Sequence, residues 1–113
     1  MKLERILDII ENGEFKEIKK QTLPPLLTGA SMYDVITNNG GMIRLTHENE
    51  GNVLFSNKVS LSKEKIKIRL FVPGEEECIS MAIIESDSKN WNRVYGAWRK
   101  VVNSFKEDYS KFF

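Results

Sequence analysis

The stretch Lys63-Glu64-Lys65-Ile66-Lys67-Ile68-Arg69-Leu70-Phe71-Val72 alternates charged and apolar side chains with a period of two. Successive side chains of a β-strand point to opposite faces of the sheet, so this pattern predicts a strand with one apolar and one cationic face. The apolar face carries Ile66, Ile68, Leu70 and Val72. The other face carries Lys63, Lys65, Lys67 and Arg69, which we call the basic row, and Phe71 extends it. The stretch therefore specifies a surface as well as a core.

Length and composition predict a single globular domain. The chain has 113 residues, of which 41% are hydrophobic and 29% are charged. Such a chain buries one core without needing a disulfide or a metal, so residues 1–113 are expected to form one domain. No stretch approaches the ~18 apolar residues that span a bilayer, and the amino terminus lacks the apolar run of a signal peptide. We expect a cytoplasmic protein with no membrane partner.

The net charge is small, but the charges are segregated along the chain. The formal net charge of +1 is too low for a protein that coats duplex DNA. Residues 58–74 carry five basic side chains and one acidic one, the acidic run Glu75–Glu77 follows, and residues 89–106 are basic again. Blocks of one sign steer charged partners even when the total cancels.

Two β-suitable runs around Asn38-Asn39-Gly40-Gly41 predict a hairpin. Residues 33–37 and 42–45 alternate in the manner of strands, and Asn-Gly turns match the twist of paired strands. The alternative is a short helix that begins at Ser31, since Ser31 and Asp34 fit a capping pattern. Residues 14–20 are compatible with either a short strand or a further helical turn.

Helical spacing of apolar residues marks both ends of the chain. One apolar stripe covers residues 3–10 before Asn12-Gly13, and an aromatic stripe covers residues 91–109 after a capping sequence at residues 86–88. Strands are predicted between the two helices, including one over residues 78–84. We therefore predict an α+β fold: an antiparallel β-meander of about five strands, an N-terminal helix, and a long aromatic C-terminal helix packed on one sheet face.

The residues that carry catalysis or bind metals are sparse. His47 is the only histidine and Cys78 the only cysteine, so neither a zinc site nor an intramolecular disulfide is expected. We interpret His47 as a solvated turn residue and Cys78 as a half-buried, unreactive thiol beside acidic residues. The sequence predicts a protein that is not an enzyme and has no cofactor.

The basic row has a structural and a functional interpretation. Lysines on exposed strands keep sheets soluble and discourage unwanted strand pairing. Alternatively, the face binds a partner through Lys63, Lys65, Lys67, Arg69, Phe71 and Arg44. Single-strand binders combine cations with aromatic stacking platforms. Phe71 is one such platform, and Tyr33 and Phe55 are candidates whose facing the sequence does not determine.

Two further groups are candidate contacts. The acidic run Glu75, Glu76 and Glu77 would suit a basic partner. The aromatic residues Tyr95, Tyr109, Phe112 and Phe113 exceed what one small sheet needs to cover, so they are candidates for a partner or homodimer contact.

Three functional hypotheses follow. The preferred one is a small protein that regulates or inhibits a macromolecular partner, either a protein or a nucleoprotein, as phage and mobile-element accessory proteins do. The alternative is a single-stranded nucleic-acid-binding protein that uses the basic sheet face. The third is a structural module that forms a homodimer.

Overall fold

The computed structural model describes residues 3–22, 30–48, 53–55, 58–60 and 64–110, with 53–55, 58–60 and 108–110 described by their backbone. The elements in chain order are α1 (Leu3–Glu11), β1 (Phe15–Gln21), β2 (Ala30–Thr37), β3 (Met42–Glu48), β4 (Val53–Phe55), β5 (Lys58–Ser60), β6 (Lys65–Phe71), β7 (Ser80–Glu85) and α2 (Trp91–Ser110).

The main sheet has five antiparallel strands in the order β1-β2-β3-β6-β7. Strands β4 and β5 pair with each other as a separate two-stranded sheet inserted between β3 and β6. The predicted α+β class, with a five-stranded meander between two helices, is confirmed. Of the strand predicted from the alternating stretch, Lys65–Phe71 form β6. Strand β5, which precedes it in the chain, belongs to the separate sheet.

Local sequence explains where the first helix ends and how the hairpin turns. Gly13 has a φ of +70° and Gly40 a φ of +88°, a region that costs glycine little. The Gly13 amide donates to Ile10 O, closing α1, and the Gly40 amide donates to Thr37 O in the β2–β3 turn. The hairpin prediction is confirmed, and the alternative helix from Ser31 is wrong. Residues 14–20 were compatible with a strand or a helical turn, and the structure has strand β1 there, over Phe15–Gln21.

Both helices pack on the same face of the sheet. Their buried residues form one core with the sheet residues that lie beneath them, among them Tyr33, Val35 and Ile68. Trp98 of α2 meets Tyr33 edge-on, with ring centroids 5.3 Å apart. The helices are also joined by Arg93, whose guanidinium donates to Asp8 at 2.8 Å and to Glu11 at 2.9 Å. The opposite sheet face is the one that carries the charged side chains of the strands.

Helix α2 begins later than its capping sequence suggests. Its first residue is Trp91, and the Asn90 carbonyl accepts the Val94 amide. Ser88 Oγ accepts the Asn90 amide at 3.2 Å, so the predicted capping serine supports the turn that precedes the helix.

Candidate functional site

The sheet face opposite the two helices carries the basic row, and we call it the open face. Strand β6 alternates between half-buried open-face side chains and buried core side chains, as the sequence pattern predicts. Cross-strand pairing places Asp34 beside Arg44 and Arg44 beside Arg69. The predicted binding residues found together on this face are Arg44, Lys65, Lys67, Arg69 and Phe71. Lys63 lies outside the described residues.

Glu48 binds two lysines of the basic row. Lys67 Nζ lies 3.0 Å from Glu48 Oε1, and Lys65 Nζ lies 3.3 Å from Glu48 Oε2. Burial disfavours the charged form of Glu48, but hydrogen bonds and charges from Lys67 and Lys65 outweigh burial and hold the pKa of this carboxyl below its ordinary value. The carboxylate therefore neutralises part of the positive charge that the sequence pattern places here.

Acidification is expected to weaken the fold through Glu48. Because the folded chain lowers the pKa of Glu48, its ion pairs stabilise the fold above the unfolded-state pKa, and this contribution is lost as pH falls through the lowered pKa. We expect the free energy of unfolding to fall below about pH 5, and to fall less in Glu48→Gln. Urea unfolding of both proteins at several pH values measures the difference, and equal losses would contradict the expectation.

Asp34 lies on the open face in strand β2, with 2% of its surface exposed. Arg44 donates to both of its oxygens, from Nε to Oδ1 at 2.8 Å and from Nη2 to Oδ2 at 3.1 Å. Gln21 Nε2 donates to Oδ2 at 2.7 Å. The hydrogen bond from Arg44 to Asp34 raises the pKa of the guanidinium, although burial opposes the shift. This cluster joins the side chains of β1, β2 and β3.

Phe71 is already covered by a cation of its own chain. The Arg44 guanidinium carbon lies 5.3 Å from the centroid of the Phe71 ring, within the range of a cation–π contact. Tyr33, the second aromatic candidate for this face, is buried in the core instead. The side chain of Phe55 lies outside the described part of the chain. The described open face therefore offers little free aromatic surface for stacking.

Arg69 differs from the other cations on this face. Its Nε is buried and makes no hydrogen bond with the described part of the chain. Arg69 lies between Arg44 on β3 and Met81 on β7. The Nε atom itself is closed to an approaching group, but Arg69 as a residue is only half-buried, so its guanidinium is a candidate for a carboxylate or phosphate oxygen of a partner.

Strand β7 and the residue that precedes it add an exposed apolar row beside the basic row. Ile79, Met81 and Ile83 are 55%, 58% and 50% exposed, and we call them the apolar row. Met81 is the cross-strand partner of Arg69, and Ile83 is the partner of Lys67. Side chains two residues apart on a strand share a face, but this alternation does not determine that the face is the open one.

Charges of both signs are interleaved on the open face. Its cationic side chains in cross-strand register include Lys19, Arg44, Lys65, Lys67 and Arg69, and its anionic ones include Glu17, Asp34, Glu48 and Glu85. The face is thus nearly balanced in charge, which the sequence did not reveal, because the carboxylates come from other strands than the basic row.

Of the other candidate contacts, the structure describes the side chains of Tyr95 and of the acidic run. Tyr95 is half-buried in α2, stacked on Trp91 with ring centroids 5.5 Å apart. Tyr109 belongs to α2, but its side chain is not among those described, and Phe112 and Phe113 lie outside the described residues. Glu75, Glu76 and Glu77 are exposed between β6 and β7.

The structure corrects two interpretations of single residues. His47 is not a solvated turn residue, because it lies in β3 with its ring 5.1 Å from that of Trp98. Its Nε2 lies 2.6 Å from Glu64 Oε1. Cys78 is exposed rather than half-buried.

A cleft of about 510 Å³ opens at one end of the sheet. Its lining includes Phe71, Ile79 and Asn39, with Arg5 and Glu14 forming an ion pair at 3.5 Å. The cleft has the size of a small-molecule or side-chain pocket. It connects the end of the basic row to the start of the apolar row.

Within the described ranges, no group of three histidine, cysteine or carboxylate side chains is placed to hold a metal ion. No helix in that same part of the chain has the length and hydropathy needed to cross a membrane. Comparisons of the chain with protein-family models, with curated proteins and with solved structures gave no match.

Proposed function

We propose that the chain is a small non-enzymatic binding protein whose open face docks on a protein or nucleoprotein partner and regulates or inhibits that partner by covering its surface. The observation that carries the proposal is the exposure of the apolar row directly beside Lys67 and Arg69. Scattered exposed apolar residues are ordinary, whereas a contiguous row suits a contact surface. Methionine and arginine are both enriched in protein interfaces.

The balance of charge favours a protein partner over a nucleic acid. A phosphate chain would have to compete with Glu48 for two lysines and with Asp34 for Arg44. Among the described cations of the basic row, Lys65 and Lys67 are paired with Glu48, whereas Arg69 forms no ion pair with another described residue. A protein surface that offers carboxylates and apolar side chains matches Arg69 and the apolar row without breaking those ion pairs.

The dependence of binding on salt separates the two functions. Each phosphate contact of a single strand contributes a slope of about −0.7 in log affinity against log salt. A surface with one available cation gives a slope of about −0.7, and one that engages four gives about −3. Nucleic-acid binding through the whole basic row therefore predicts an affinity that falls steeply as salt rises. The ion pairs on this face oppose such binding, because phosphates would have to compete with the carboxylates for these cations.

We expect the wild-type protein to bind an unstructured oligodeoxythymidine weakly, even at about 20 mM salt. Fluorescence anisotropy of a labelled oligonucleotide measures the affinity. Glu48→Gln is the matched control, since it leaves both lysines free and should strengthen binding. Tight wild-type binding that falls steeply with salt would overturn the proposal in favour of the single-strand-binding function.

A photo-crosslinking amino acid tests which face meets the partner. Placed at Lys67, it should capture a partner from extracts of the organism that encodes the chain, whereas at exposed Asn103 on α2 it should not. Excess wild-type protein should compete for the partner and reduce capture, whereas excess Lys67→Glu/Arg69→Glu protein should not. Equal capture from both positions, or competition by the charge-reversed variant, would contradict docking through the open face.

A further inference from the structure

The two edge strands of the main sheet are protected very differently. Strand β1 exposes Lys16, Glu17, Lys19 and Lys20, and its pairing with β2 is broken by an irregularity between Phe15 and Glu17. Strand β7 is charge-free from Ser80 to Ile84, and its register with β6 runs without a shift. One edge of the sheet is therefore charged and irregular, whereas the other is regular and apolar.

This difference has a physical consequence for association. The outer edge of a strand presents unpaired N–H and C=O groups that can hydrogen-bond to another strand. Charged side chains and bulges on an edge prevent such pairing, and β1 has both features. Strand β7 has neither between Ser80 and Ile84, and it contains no glycine or proline. Within the part of the chain that the structure describes, no strand pairs with the outer edge of β7, so this edge is open to a further strand.

We propose that β7 pairs antiparallel with β7 of a second copy of this chain, about a two-fold axis, so that two five-stranded sheets join into one of ten strands. The pairing uses the backbone edge of β7 together with the side chains of Met81 and Ile83, which also belong to the proposed docking surface. Its test is the oligomeric state of the chain alone, so its outcome is separate from that of the proposed function.

Strand β7 is complementary to itself in this arrangement. With the axis at Ala82, Met81 of each copy lies beside Ile83 of the other copy. Cross-strand apolar pairs of this kind stabilise antiparallel sheets. The axis is perpendicular to the sheet, so both open faces point the same way. The two apolar rows then meet in the centre, flanked by the two basic rows.

The charges at the two ends of β7 also favour its antiparallel pairing with β7 of a second copy. The acidic run Glu75–Glu77 precedes the strand, and Lys89 with the amino-terminal end of α2 follows it. An antiparallel pair carries each acidic run toward the other copy's Lys89 and helix start, where the helix dipole favours negative charge. Asp87 lies at the same end, but it is already engaged within its own chain.

Light scattering over a concentration series gives the first test. We expect a mass near twice that of the 13.1 kDa chain that falls toward the single-chain mass on dilution. Amide hydrogen exchange at high concentration should show protection along β7 that is lost on dilution, with unchanged exchange along β1. A single-chain mass throughout, or β7 amides insensitive to concentration, would overturn the proposal in favour of an unpaired edge or one that receives a strand of another protein.

A charge-matched pair of variants gives the second test. Met81→Lys/Ile83→Lys places two lysines of each copy opposite those of the other, so the dissociation constant should rise by at least about tenfold. Thr22→Lys/Asn103→Lys adds the same charge at exposed positions away from β7 and should dimerise like the wild type. Dimerisation unchanged in the β7 variant, or lost equally in both variants, would show that another surface joins the copies.

Discussion

Asp34→Ala is expected to lower the free energy of unfolding by about 3 kcal/mol. The substitution removes the acceptor of two hydrogen bonds from Arg44 and one from Gln21. Removing one partner of a buried pair is costly because the remaining charge keeps its desolvation penalty without compensation. With 2% of Asp34 exposed, water reaches the vacated position poorly.

Two control variants distinguish the lost pair from a general disturbance of the strands. Gln21→Ala removes one neutral donor and should cost about 1 kcal/mol. Asp34→Val/Arg44→Leu replaces both charges by apolar groups and should recover much of the loss seen in Asp34→Ala. Urea unfolding followed by circular dichroism measures all three. A loss in Asp34→Ala no larger than that in Gln21→Ala would contradict a stabilising role for the ion pair.

The same ion pair connects stability with the proposed docking surface. Arg44 reaches Asp34 with its guanidinium and covers Phe71 in the same position. Asp34 thus holds the Arg44 guanidinium over the ring of Phe71, at the end of the basic row. A partner that binds the open face meets a preorganised arrangement, and preorganisation reduces the entropy lost on binding.

Several parts of the fold are predictable because their sequence patterns are compatible with a single local structure. Positions 65–70 alternate between charged and apolar side chains, so one register alone buries the isoleucines. The Asn39-Gly40 turn selects a hairpin because glycine accepts the positive φ found there. Helix α2 carries an aromatic stripe long enough to exclude a strand.

The orientation of β7 is not predictable from its own residues. Both of its faces are partly apolar, since Met81 and Ile83 alternate with Ala82 and Ile84. Hydrophobicity alone would bury the larger side chains, but pairing with β6 places Ala82 beside Ile68 and Ile84 beside Ile66, on the core face. The register of the neighbouring strand therefore decides which row becomes a surface.

The neutralisation of the basic row is also hidden in the sequence. Glu48 meets Lys65 and Lys67 because β3 pairs with β6 across the inserted β4–β5 unit. Asp34 and Arg44 meet across the hairpin, in a register that depends on the turn. The alternation within a strand determines which of its side chains share a face. Their ion-pair partners on neighbouring strands depend on the order and register of the strands in the sheet.

Trp98→Ala is expected to cost about 4 kcal/mol, the largest effect of any single change considered. Trp98 is 4% exposed and contacts the rings of Tyr33 and His47, at centroid distances of 5.3 Å and 5.1 Å. Its truncation removes transfer free energy and leaves a cavity between α2 and the sheet. Because domains are marginally stable, such a loss removes much of the total free energy of unfolding.

Trp91 offers a matched control on the same helix. It is half-buried at the start of α2 and stacks on Tyr95, so Trp91→Ala should cost less than half as much. Denaturant unfolding compares the two variants. Trp91→Phe leaves Trp98 as the sole tryptophan, whose emission should be blue-shifted in the folded chain and shift to the red on unfolding. Equal costs for the two alanine variants, or solvent-like emission from Trp98 in the folded chain, would contradict a sheet covered by this face of α2.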